Sequence, residues 1–271
     1  MRWLRMAWYW QVTCWTLHET WQEGLPSVCF EEIVQNSVGK PAYDVAKAYH
    51  PIGLLDTLCK LFSTLVAADL LDLMEKHQLF PPMQFGSRPG CNTTDSIHPV
   101  TQRIKDSWWK KQTALILFLD IQAAFPNMVK EHLLHNMRTR QIPTAYINLI
   151  KNMLSNHKTQ FRFDDYTSGP IELNNRTTQG CPLSMLIYTS YNADLINIAK
   201  GKCKLSTRFV DDCIFVATGN NILDTHQTLK NMMERVEGSL DWLHNHNSPF
   251  RLSKFACMDF LRPNTSSTTC C

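Results

Sequence analysis

Residues 208–217 read RFVDDCIFVA, two adjacent aspartates set between short apolar runs. Apolar, β-forming runs on both sides of a two-residue polar break predict a β-hairpin with Asp211 and Asp212 at its tip. This feature constrains the fold most. A hairpin so apolar must be covered by other elements, and it holds two like charges at one fixed place. Such carboxylates raise each other's pKa, and a bound cation relieves the repulsion. A near twin, RFDDY at 162–166, is followed by polar, flexible YTSGP. There Asp164 and Asp165 read as a surface loop, where aspartate suits turn geometry.

The rest of the chain supplies a large core. Of 271 residues, 44% are hydrophobic and 19% charged, which is globular rather than disordered. A net charge of +3 permits a nucleic-acid partner without requiring one. The ten cysteines include no C-x-x-C pair. Cys29, Cys59, Cys203, Cys213 and Cys257 lie in apolar segments, so reduced, buried thiols are expected in place of disulfides. His244, His246, Cys257 and Cys270–Cys271 match no zinc-finger spacing. The basic, aromatic start lacks the apolar core of a secretion signal, and no 18-residue apolar run could span a membrane. An intracellular location is expected, with the nucleus as one candidate compartment.

The elements alternate. A helix emerges within 49–79, with Leu58, Phe62, Leu65, Leu70 and Leu73 on its apolar face. Residues 92–111 predict a second helix, capped by Thr94 or Asp95, with Ile97, Val100, Ile104 and Trp108 as its stripe and Pro99 awkward near its start. TALILFLDI (113–121) is a buried strand. Helices follow at 127–140 and 143–154, then paired short strands in 159–165 and 169–173. Residues 182–199 predict a helix opened by Pro182, its stripe Leu183, Ile187, Tyr191, Leu195 and Ile198. After the hairpin, 221–246 reads as one long amphipathic helix and 250–260 as one or two closing strands. Residues 1–40 show no dependable periodicity, and 263–271 are expected to be disordered. With no Rossmann glycine fingerprint, the class is α+β.

Three further features point to chemistry. Asp120 ends the buried strand, where an acid is costly unless it meets solvent, a partner or a metal; alone it reads slightly better as a turn or capping residue. TTQGCPLS (177–184) carries Gly180, which lets backbone approach a ligand, and Gln179, whose amide could touch a nucleotide or template. Phe125 stands five residues after Asp120, close enough to wall the same pocket. Two hairpin aspartates plus one at another strand's end are a donor set for two Mg²⁺ ions about 3.5–4 Å apart.

Six segments in order carry a resemblance: AYHPIGLLDTLCKLF (48–62), QFGSRPGCNTTDSI (84–97), LFLDIQAAFPNM (117–128), TTQGCPLSMLIYTSYNADL (177–195), FVDDCIFVA (209–217) and FRLSKFACM (250–258). Together they resemble the reverse transcriptase domain of non-LTR retrotransposons, shared with group II intron maturases. The resemblance covers roughly 40–260. It implies a right-hand polymerase with fingers at 41–114, a palm at 115–262, a fingers-side insertion around 140–175, and an antiparallel palm sheet packed on helices.

By the same resemblance, Asp120, Asp211 and Asp212 hold the metals, and the Ile121 carbonyl lends an oxygen. Phe125 is a steric gate against a ribose 2′-OH. Gln179 and Gly180 line nucleotide and template. Arg88 and Lys60 lie on the fingers side near template or triphosphate, and Lys254 protonates pyrophosphate. The implied partners are an RNA template, a DNA primer and dNTPs. The sequence departs from the pattern at His50 (in place of Arg), Cys91, Glu31, Glu32 and Met185. No thumb is expected after 262, and no endonuclease before 40, so a truncated or decayed copy is expected. A catalytically inactive remnant that still binds nucleic acid is the competing reading; an RNA-directed RNA polymerase is the third, opposed by Phe125.

Overall fold

The computed structural model describes residues 29–36, 49–155, 157–163, 165–173 and 180–262. In chain order these form β1 (Cys29–Asn36), β2 (Tyr49–Leu54), α1 (Thr57–Lys76), α2 (Thr93–Trp109), β3 (Thr113–Asp120), α3 (Lys130–Thr139), α4 (Thr144–Met153) and β4 (His157–Phe163). Next come β5 (Tyr166–Thr167), β6 (Ile171–Leu173), α5 (Pro182–Asn192), a 3₁₀ turn (Ala193–Ala199), β7 (Lys204–Phe209), β8 (Asp212–Gly219), α6 (Ile222–Glu234), α7 (Ser239–Asn245) and β9 (Ala256–Phe260).

Two sheets organise them. One is antiparallel throughout, in the order β7-β8-β3-β9. In the other, β4 is the hub. It pairs with β1 in parallel and with β5 and β6 antiparallel, while β2 extends the sheet beyond β1.

The run ALILFL of β3 is apolar without alternation because both of its faces are covered. Leu115, Leu117 and Leu119 join a core with Leu183, Ile187 and Tyr191 of α5 and Leu229 and Met232 of α6. Ala114 and Ile116 pack on the other face with Val100 and Ile104 of α2. The mixture of helices and antiparallel sheet is the α+β class that the sequence led one to expect.

Several local expectations are corrected. In α1 the buried row is Ser63, Val66, Leu70 and Met74, whereas Leu58 is 79% exposed and Leu65 46%. Leucines fall all round this helix, so periodicity could not choose a face. Packing on α5 chooses it, with the Ser190 hydroxyl 3.8 Å from the Met74 sulfur. The cap of α2 is Asn92. Its side chain accepts from the Asp95 amide at 3.1 Å, and the Asp95 carboxylate accepts from the Asn92 amide at 2.7 Å. Asp95 is thus the third residue of a capping box, and Ile97 is exposed.

The long helix of 221–246 is two helices. Glu237 adopts a left-handed φ of +59°, and Gly238 comes so close to the end of α6 that a β-carbon would lie 2.6 Å from the Arg235 carbonyl. The stripe of 182–199 is buried as expected, but α5 tightens into a 3₁₀ turn at Ala193. Cys59 is half-buried and Cys213 buried, but Cys203 and Cys257 are exposed thiols. Strands β1 and β2 had no counterpart in the sequence reading. The tail 263–271 and most of 1–40 lie outside the described residues. Among those described, no helix is long and apolar enough to cross a membrane.

Candidate active site

Register brings the carboxylates together. Asp120, the last residue of β3, lies directly opposite Asp212, the first of β8. Side chains alternate along a strand, so both acids fall on the face that carries Phe118 and Ile214. Asp211 belongs to the two-residue turn between Phe209 and Asp212, which are themselves paired. That turn places the left-handed φ of +58° on Val210. The first central position of a II′-type hairpin turn is usually glycine.

The turn is gripped from both sides. The buried Val210 carbonyl accepts from the Asn192 amide at 2.9 Å and from the Arg208 guanidinium at 3.4 Å. On the other flank, Arg208 forms a backbone bridge with Gln84, through Arg208 N–H to the Met83 carbonyl and Phe85 N–H to the Arg208 carbonyl, both 3.0 Å.

Asp120 is only 8% exposed, and the segment before β9 covers it. Backbone bonds tie the two together: Gln122 N–H to the Pro249 carbonyl and Arg251 N–H to the Asp120 carbonyl, both 2.8 Å. They carry the Lys254 ammonium to 3.1 Å and the Arg251 Nε to 3.4 Å from Asp120 Oδ2. Neither cation is aligned as a hydrogen-bond donor, so this buried oxygen is ion-paired without a directed bond. Beside it opens a cleft of about 350 Å³, lined by Asp120, Asp212, Lys254, Phe118 and the α2 residues Thr93 and Ser96.

Charge crowding is visible in the acids. Burial, and then the Asp120 charge, raise the Asp211 carboxyl above its ordinary range, against the opposing pull of Arg208 and Lys254. Burial raises Asp212 too, followed by the charges of Asp211 and Asp120. Among the described residues, no three His, Cys, Asp or Glu side chains converge as a ready chelate. The donor set nonetheless suits a hard cation: three carboxylates, one with a buried oxygen lacking an aligned donor.

The other expected site residues divide. Ile121 is buried and bridges to Phe250; the flanking bonds at 120 and 122 leave its own carbonyl unspent by that bridge. Phe125 packs on Tyr188 of α5 with ring centres 5.1 Å apart. Gly180 takes a φ of +116° just before α5, a conformation that favours glycine. Gln179 lies outside the described residues, as does Asp164. Asp165 is exposed in the turn leading to β5, as the loop reading expects.

Arg88 and Lys60 do not line the cleft. Arg88 is spent on a bidentate pair with Glu75 of α1, at 2.7 and 2.8 Å, and on the Gln84 carbonyl. Lys60 is exposed on α1. Sequence reasoning missed Arg251, Arg208 and Asn192. Arg208 immediately precedes the hairpin's apolar run, and nothing in its local sequence marks it as buried.

Comparison with known proteins agrees with this geometry. Residues 38–259 match the family described as reverse transcriptase (RNA-dependent DNA polymerase). The chain is 31% identical over 180 residues to the "Probable RNA-directed DNA polymerase from transposon X-element" of Drosophila melanogaster, covering 65% of this chain and 20% of that protein. It is 28% identical over 187 residues to the corresponding protein of transposon BS, covering 67% and 20%. To the RNA-directed DNA polymerase from mobile element jockey of Drosophila funebris it is 26% identical over 228 residues, covering 82% and 24%. The chain thus spans about a fifth to a quarter of the length of these relatives. Among solved structures, apo telomerase from Candida tropicalis truncated from its C-terminal domain superposes with a TM-score of 0.55 at 11% identity, over 81% of this chain and 49% of that one. Telomerase from Candida albicans gives 0.57 at 9%, over 96% and 47%.

Proposed function

This chain belongs to the reverse transcriptase (RNA-dependent DNA polymerase) family, and from that premise we propose that it carries out RNA-templated DNA synthesis, extending a DNA primer with dNTPs. The observation that carries the reading is the opposition of Asp120 and Asp212 across β3 and β8, with Asp211 beside them on the hairpin. In this reading the four-stranded sheet is the palm, within 115–262, and 41–114 builds the fingers. The sheet in which β2 pairs with β1, and β1 with β4, supports joining the insertion around 140–175 to the fingers.

Asp120, Asp211 and Asp212 would hold two Mg²⁺ ions, with the Ile121 carbonyl as a further oxygen donor. Bound there, the ions would lower the pKa of the primer 3′-OH and neutralise charge on the phosphates. The chain's own residues do the rest. Lys254, 3.1 Å from Asp120, is within reach of the same centre and donates a proton to the departing pyrophosphate. By the resemblance, Phe125 would act as the steric gate against a ribose 2′-OH. By the same resemblance, Gln179 and Gly180 would contact nucleotide and template. Arg88 holds the fingers loop on α1 through Glu75, which keeps that loop against the hairpin.

Primer extension on an RNA template tests this. The wild type incorporates dNTPs with Mg²⁺, and Asp211→Asn/Asp212→Asn loses that activity by about 10²–10³-fold or more. Equal, negligible incorporation by both would defeat the reading. Salt-dependent RNA–DNA binding without incorporation would instead mark a nucleic-acid-binding remnant.

A further inference from the structure

Beneath the aspartate hairpin lies a charge that the reaction as described does not use. Arg208 is 1% exposed, among the largest fully buried side chains among the described residues. A buried guanidinium is costly where its donors go unspent; Arg208 directs both Nη groups at backbone carbonyls, while its Nε has no aligned partner. Its Nη1 donates to the Asn192 carbonyl at 2.6 Å and its Nη2 reaches the Val210 carbonyl at 3.4 Å. Asn192, itself fully buried, donates its side-chain amide to the same Val210 carbonyl at 2.9 Å. One fork and one amide therefore join the end of α5 to the turn residue that immediately precedes Asp211.

The residue so held is the one that needs holding. Val210 is β-branched and carries a φ of +58°, a region L residues of that shape avoid. Strain of this kind persists only where its surroundings over-determine it.

We infer that Arg208 and Asn192 are positioning residues that fix the Val210 turn, and thereby aim Asp211 and Asp212 for cation binding. This rests on the reading of those aspartates as cation ligands. The action is through geometry: Arg208's positive charge by itself opposes a cation, and only the clamp on the carbonyl favours one.

The test is Mn²⁺ binding by the full chain, followed by electron paramagnetic resonance without template or dNTP, alongside thermal unfolding. The wild type binds Mn²⁺, and Asp211→Asn/Asp212→Asn does not. Arg208→Met and Asn192→Ala weaken binding about tenfold, the usual scale for residues that orient metal ligands. Arg208→Lys, which keeps the charge and loses the fork, is as weak as Arg208→Met. Asn192→Ala leaves the Arg208 contact to the Asn192 backbone intact, so it reports on the clamp if the arginine variants do not fold. Folded variants that bind Mn²⁺ like the wild type, with only a lower unfolding temperature, overturn the inference, as does full rescue by Arg208→Lys. A wild type that binds no better than the double aspartate variant overturns the cation reading itself, a pattern distinct from the other two.

Discussion

A β-carbon added to Gly86 would lie 2.3 Å from the Val210 amide nitrogen and 2.6 Å from its Cγ2. The loop after α1 therefore presses on the aspartate hairpin at the one residue whose backbone is already left-handed. No side chain fits there without moving one of the two.

Gly86→Ala should accordingly act at a distance on the aspartates. Forced overpacking costs about 1–3 kcal/mol, so unfolding shifts down by several degrees and primer extension collapses while the three carboxylates remain. Unchanged unfolding together with wild-type extension would show that the loop yields freely.

The crowded acids set a pH dependence. Their folded pKa values are raised, so the stability they contribute is fully present below the ordinary carboxylate value of 3.8 and is lost as pH rises through the raised values. At neutral pH the cation-free protein bears that cost. Asp211→Asn should raise its thermal midpoint at pH 7 in chelator by about 2 °C, on the order of 1 kcal/mol or less. The gain should vanish near pH 4. Asp212, more exposed and better screened by water, should give less. Thermal scans from pH 4 to 8 decide it; a gain that persists at pH 4 contradicts this origin.

Phe125 leans on Tyr188 with its ring half-buried, which fixes where the ring can stand. Phe125→Ala should raise the ratio of rNTP to dNTP incorporation by roughly 10–10²-fold, the range a lost steric contact supplies. Single-nucleotide extension measures the ratio. Unaltered discrimination would remove Phe125 from the nucleotide pocket.

The faces of α1 make a paired prediction. Leu70 is 1% exposed and Leu58 79%. Leu70→Ala should cost about 2–5 kcal/mol, and Leu58→Ala within about 0.5 kcal/mol. Denaturant unfolding of both variants checks it. Equal losses would mean that the outer leucines are covered.

The sequence made the centre legible and the periphery less so. Asp120, Asp211 and Asp212 could be found because apolar runs fix strands, and strands fix where their ends lie; six ordered segments then pointed to the family that matches. The helix stripe from Leu183 to Ile198 was legible because its members recur at helical spacing, although α5 is buried nearly all round. The buried face of α1 was not, since leucines surround it and only contact with α5 distinguishes them. The break at Glu237–Gly238 was hidden because apolar residues continue past it. Arg208 resembled an ordinary surface arginine because nothing local reveals that its fork closes on Asn192, sixteen residues earlier.

The parallel pairing of β1 with β4 has a consequence during synthesis. Cys29 meets Lys158, 129 residues further along the chain. At about 5–20 residues per second, β1 leaves the ribosome roughly 6–25 s before its partner exists. Throughout that interval the β1–β2 pair offers an unpaired strand edge to any neighbour. Limited proteolysis of stalled nascent chains should find β1 and β2 cleavable until β4 has emerged and protected afterwards. Protection at shorter lengths would mean that β1 and β2 close without it.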